Sequence, residues 1–139
     1  METLTVTETA DQPRKSLPTN NNPILNVTVA RGSITDIKSP VVVVGGYKGI
    51  APASALKALD DSLNQWISRA GDQGMIGGEL GEVFFIPVMN KEVGARSVMI
   101  AGMGDFGKFS YHDLRYLAMN ICFSISALRV DSFATVLIG

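Results

Sequence analysis

From Leu25 the chain alternates apolar and polar residues, Leu-Asn-Val-Thr-Val-Ala, with the period of two that turns one face of a strand toward a core. Arg31-Gly32 interrupts this, and Ile34 and Ile37 resume it, so a turn or bulge and then a continuation or second strand is expected. After Ser39-Pro40 comes Val41-Val-Val-Val44, a β-branched run closed by Gly45-Gly46 that predicts a strand buried on both faces. Pro52 suits the first turn of a helix in which Leu56, Leu59, Leu63, Trp66, Ile67 and Ala70 recur at helical spacing up to a stop at Gly71. Lys57, Asp60, Asp61, Asn64 and Arg69 take its wet side. Gly71 to Gly81 holds five glycines and predicts either a mobile connector or a loop shaped for close backbone approach. Val83-Phe-Phe-Ile-Pro87 and Ser97 to Ala101 read as two more buried strands, the first ending in a proline that needs no ladder N–H. Glycines 102, 104 and 107 then open a loop, and Ser110 with Asp113 forms a variant of the capping box. The following helix, Tyr111 to about Leu128, carries Leu114, Leu117, Ala118, Ile121, Cys122, Ile125 and Leu128 on one face, widened by Met119 and Phe123. So broad a stripe predicts burial between a sheet and another element. Phe133 to Ile138 reads as a last strand.

Strands alternating with helices imply right-handed crossovers and an α/β fold, with three α/β/α layers around a mostly parallel, twisted sheet. Residues 1–23, rich in Thr, Pro and Asn, read as a disordered tail, leaving residues 24–139 as the folded domain. A buried-type final strand leaves one sheet face short of cover, so the C-terminal part of the fold is expected to be missing and the chain to be an N-terminal piece of a longer protein.

Composition narrows the chemistry. With 12 Lys and Arg against 13 Asp and Glu and no basic run, neither a nucleic-acid nor a membrane surface is expected. One cysteine and one histidine give no internal disulfide and no zinc cluster, which fits a reducing, cytoplasmic setting. Gly102-Met-Gly-Asp-Phe-Gly107 fits the spacing of a dinucleotide-binding loop between strand and helix. A pyrophosphate, however, needs the helix to begin within the glycines, whereas the cap is Ser110, and Phe133 to Ile138 offers no acid for a ribose. A looser phosphate loop or a structural turn remains. His112 reads as a helix-terminal surface residue and Cys122 as a small hydrophobe on an apolar stripe. Asp60 and Asp61 are adjacent on a helix and so diverge, leaving solvated carboxylates, and Trp66 reads as core. No catalytic or metal-binding residue is assigned.

Three blocks carry a family resemblance: Ala55-Leu-Lys-Ala-Leu-Asp60; Ser68-Arg-Ala-Gly-Asp-Gln-Gly74 with Gly78-Glu-Leu-Gly81; and Arg96-Ser-Val-Met-Ile-Ala-Gly-Met-Gly104. In this order, within a stretch from Ile34 to Gly139 covering about three quarters of the chain, they resemble the N-terminal domain of the M17 leucyl aminopeptidases, itself similar to macro domains. The resemblance implies a non-catalytic domain serving assembly, or regulating a downstream domain of the same protein. In that family two metals, a lysine and an arginine do the chemistry in a C-terminal domain whose Asn-Thr-Asp-Ala-Glu-Gly-Arg type motif is not found here, so no functional residue carries over. It further implies a homo-oligomer, no cofactor in this part, and a divalent metal, zinc or manganese, in the downstream domain.

The alternative it raises is a macro-like sensor of nucleotide or ADP-ribose, using Gly45, Gly46, Gly102, Gly104 and Gly107. Gly32-Ser33-Ile34 stands where macro domains typically have Gly-Asp-Ile, and losing that acid removes a charge-assisted hydrogen bond worth about 1.5–3 kcal/mol. Val44-Gly-Gly-Tyr47 likewise replaces their Asn-rich loop.

Overall fold

The computed structural model describes residues 2–8 and 24–138. One sheet of six strands runs through it: β1 (Glu2–Glu8), β2 (Leu25–Arg31), β3 (Val41–Gly46), β4 (Val83–Pro87), β5 (Ser97–Gly102) and β6 (Ser132–Val136), in the order β2-β1-β6-β3-β5-β4. Three helices flank it: α1 (Ser54–Ser62), α2 (Trp66–Asp72) and α3 (Tyr111–Ala127). Strands β6, β3 and β5 are parallel, with Val43 level with Met99 on one side and Thr135 on the other. β1 pairs antiparallel with β2 and β6, and β4 pairs antiparallel with β5. The α/β class is as expected, with parallel pairing confined to the centre of a mixed sheet.

The layering follows from connectivity. The chain leaves β3 for β5 in one direction and returns from β5 past β3 to β6 in the other, so right-handed crossovers must put their helices on opposite faces. They do. Val42, Val44, Val98 and Ile100 point to Leu56, Leu59, Leu63 and Ile67 of the α1–α2 layer. Val41, Val43, Met99 and Ala101 point to Leu117, Ile121 and Ile125 of α3. All four valines are 0–1% exposed, as a strand covered on both faces requires.

Several expectations are corrected. Residues 2–8, read as part of a disordered tail, form β1, whose Thr-Leu-Thr-Val-Thr alternation gains ladder bonds on both edges; residues 9–23 lie outside the described residues. Ile34 lies in a 3-10 turn, Ile34–Asp36, capped by Ser33, rather than in a strand. The helix expected up to Gly71 is two. Asn64 and Gln65 take positive φ, and the N–H groups of Gln65 and Asn64 donate to the carbonyls of Asp60 (2.7 Å) and Asp61 (3.2 Å), the paired bonds of a Schellman cap with Asn64 in the left-handed position. Strand β4 is an edge strand with only Ile86 buried, and Trp66 is half-exposed, resting on Phe84 with ring centroids 6.1 Å apart. The stripe of α3 is covered only in part: Leu117, Ile121 and Ile125 are buried, whereas Ala118, Met119, Cys122, Phe123 and Leu128 are exposed. Among the described residues no helix is long and apolar enough to cross a membrane.

Candidate functional site

In open α/β sheets, ligands settle beyond the carboxyl ends of strands where the connections diverge, here the ends of β3 and β5. A cleft of about 360 Å³ lies there, lined by Gly46, Tyr47, Ile50, Pro52, Leu56, Ser68, Asp72 and Gly78 among others. Its volume falls within the range of small-molecule sites, roughly 300–1,000 Å³.

The glycine loop, read as either a looser phosphate loop or a structural turn, donates its amides to neighbouring loops. The N–H groups of Gly102, Met103 and Gly104 donate to the carbonyls of Glu82 (2.7 Å), Gly46 (2.9 Å) and Gly78 (2.9 Å). Gly81 N–H returns a bond to Gly102 (3.0 Å) and Lys48 N–H one to Gly104 (2.9 Å), so three loops are laced together by backbone alone. The glycines make that possible: a Cβ on Gly78 would stand 2.9 Å from Lys48 backbone, and one on Gly102 would overlap the Glu79 carbonyl oxygen. Within Gly71 to Gly81 the close backbone approach is at Gly78, whereas Gly71 and Gly74 have no atom within 4 Å of a Cβ position. Gly45 and Gly46 end β3, with Gly45 against Met103 and Gly46 facing the cleft, while Gly102, Gly104 and Gly107 do not line it. The five glycines therefore do not converge on one cavity.

Two places where backbone N–H groups could receive an anion hold the chain's own carboxylates. Glu82 accepts from Gly77 N–H (3.0 and 3.1 Å) and Glu79 N–H (3.0 Å). At the start of α3, Asp113 accepts from Ser110 N–H (2.8 Å) while Ser110 Oγ accepts from Asp113 N–H (3.3 Å), the expected capping box. Sequence reading missed the first. Its signal is an acid four to five residues after a glycine pair, meaningful only once the loop's shape is known.

Two ion pairs flank these loops. Lys48 pairs with Glu79, and hydrogen bonding and charge attraction there raise its ammonium above the ordinary lysine value. Lys108 pairs with Asp105 at 2.8 Å, raising its own value and lowering that of the carboxyl. Both pairs are exposed and hold little stability. Tyr47 meets Phe106 edge to face at 5.1 Å and Phe109 at 6.4 Å, an aromatic rim that sequence reading did not single out. Phe106 is itself 70% exposed.

Of the other candidates, His112 is exposed in the first turn of α3, and Cys122 is exposed, not packed as a core hydrophobe. Asp61 is exposed and bonded to Lys57, but Asp60 is 4% exposed and correction is needed there: it accepts from Ser68 N–H (3.0 Å) and Ser68 Oγ (2.5 Å). Among the described residues no group of three His, Cys, Asp or Glu could hold a metal ion.

The cap yields a test. Ser110→Ala is expected to cost about 1 kcal/mol in thermal or urea unfolding. Asp113, held below the ordinary carboxyl value first by its bonds to Ser110, adds a pH dependence. A depressed carboxyl stabilises the fold fully above its unfolded value of about 3.9 and loses that contribution as pH falls through the lower folded value. Wild type should therefore lose its advantage over Asp113→Asn on acidification below about pH 4; a difference that grew there would contradict the cap.

The family model described as cytosol aminopeptidase family, N-terminal domain, matches residues 42–138. No curated protein matches the chain.

Proposed function

Because the chain belongs to the cytosol aminopeptidase family, whose N-terminal domain it carries over residues 42–138, we propose that it serves a larger protein as a non-catalytic assembly or regulatory domain. The single observation that supports this best is how the surface is spent. The glycine loops and the α3 terminus are satisfied by internal carbonyls and by Glu82 and Asp113. Large apolar side chains meanwhile face solvent: Val29 is 59% exposed, Met119 69%, Phe123 79% and Leu137 68%. Contiguous exposed apolar area marks interaction surfaces, and Met119 and Phe123, four residues apart on α3, share one helix face. In this reading a divalent metal and the peptide-bond chemistry belong to a downstream domain, and the setting is cytoplasmic. The purified 139-residue chain, given leucine amides with zinc or manganese, is expected to show no turnover; turnover abolished by chelation would overturn the proposal.

A second reading, a macro-like sensor of nucleotide or ADP-ribose, is favoured by one observation, the cleft at the carboxyl ends of β3 and β5. Calorimetry with ADP-ribose, ATP and NAD is expected to stay silent at about millimolar ligand, because the nearby amides are already donated. Saturable heat reduced by a bulky substitution at Gly46 would establish the sensor instead.

A further inference from the structure

The two edges of the sheet differ. β4 has five residues and ends in Pro87, which has no N–H to offer another strand. β2 has seven, Leu25–Arg31, with no proline, no glycine and no charge before its last residue. Among the described residues only β1 pairs with it, so every second backbone N–H and C=O of β2 points away from the sheet. Proteins usually blunt such an edge with proline, a bulge or an inward charge, and β2 carries none of these in its middle. Its alternate residues Leu25, Val27 and Val29 are 60%, 50% and 59% exposed. Val27 lies level with position 6 of β1, which lies level with Phe133 of β6, and Phe133 packs on the α3 side. The apolar stripe of β2 thus extends the face on which α3 sits.

We propose that β2 pairs with the β2 of a second copy of this chain, antiparallel about a two-fold axis through Thr28, joining two sheets into one. The strand is self-complementary in that register. Thr28, at its midpoint, faces its own copy, and Val27 faces the copy's Val29, so the apolar stripes run on continuously. Cross-strand Thr–Thr and β-branched pairs are among the favourable ones. Arg31, the strand's one charge, falls opposite the copy's Leu25. It lies about 20 Å from its own counterpart, six residues at about 3.4 Å each, beyond the screening length in physiological salt. An isologous contact of this kind closes on itself and does not propagate. The inference rests on the assembly role proposed for the domain and names the surface that would perform it.

The test uses the whole 139-residue chain in a Cys122→Ser background. Thr28→Cys is expected to form a disulfide-linked dimer on mild oxidation, since directly opposed antiparallel residues stand about 4.5–5.5 Å apart at Cα, within disulfide reach. Leu25→Cys, about 20 Å from its copy, is expected not to. By sedimentation equilibrium the parent is expected to dimerise, and Val27→Lys, with an unchanged circular dichroism spectrum, to raise the dimer Kd at least tenfold, about 1.4 kcal/mol. A parent still monomeric at about 200 µM would overturn the pairing. So would a dimer that ignores Val27→Lys and cross-links no better through Thr28→Cys than through Leu25→Cys; that outcome leaves the assembly role standing on another surface, whereas leucine-amide turnover would remove the role itself.

Discussion

Gly102→Ala is expected to lower stability by about 3 kcal/mol or more, a loss of roughly 10 °C in Tm for a domain of this size. The residue is not in the left-handed region, so the cost is steric. A methyl group there meets the Glu79 carbonyl oxygen head-on and stands 3.0 Å from the carbonyl carbons of Glu79 and Gly78, all backbone atoms that no rotamer change can move. Relief requires the 78–82 segment to lift from the end of β5. That breaks both bonds by which Gly102 holds it, its N–H to Glu82 and its carbonyl from Gly81. Gly107→Ala is the control: φ is +80° but no atom lies within 4 Å, so only the left-handed penalty of about 1 kcal/mol applies. If the two variants melted together, the lacing of the loops would not be what Gly102 is for. If Gly102→Ala kept the wild-type Tm, the glycines would have to be explained by a ligand.

The contrast between these glycines shows which parts of the molecule sequence alone could reveal. Val41 to Val44 and Ser97 to Ala101 were legible because a strand buried on both faces needs apolar side chains at every position, and few other structures do. The Ser110–Asp113 cap was legible because its partners are three residues apart. Gly102 to Gly107 matched a nucleotide motif at the level of spacing. Its chemistry, however, depends on where three amides point, and they point to Glu82, Gly46 and Gly78, 20 to 57 positions away in the chain. Phe84-Phe85 suggested a buried strand, yet β4 is an edge, because strand order is set by crossovers and not by local hydrophobicity. The break between α1 and α2 hid behind an unbroken apolar period. Leu63, Ile67 and Ala70 are all buried as the period demands, while Asn64 in its left-handed cap turns the helix between them.

That break explains the one acid buried among the described residues, and Asp60→Ala is expected to cost about 3 kcal/mol. Asp60 sits in the last turn of α1, and its carboxylate reaches past the Schellman turn to the first turn of α2, where it takes both the N–H and the hydroxyl of Ser68. It thereby does for α2 what a capping residue would, since Gln65 at the cap position makes no side-chain bond. Truncation leaves two polar groups of a partly buried serine without their acceptor and a void where the buried carboxylate stood. Asp60→Asn keeps one acceptor oxygen for the amide and an NH2 for the serine oxygen, so it should cost about 1 kcal/mol. Ser68→Ala combined with Asp60→Ala should lose less than the sum of the two, a coupling of at least about 1 kcal/mol in a double-mutant cycle. Additivity would mean the carboxylate acts through something other than Ser68. Since Ser68 and Asp72 stand in the wall of the cleft beside β3, the same variant should raise amide exchange across α2 before it does so in β3 or β5. The cleft wall is therefore only as firm as one carboxylate eight residues upstream makes it.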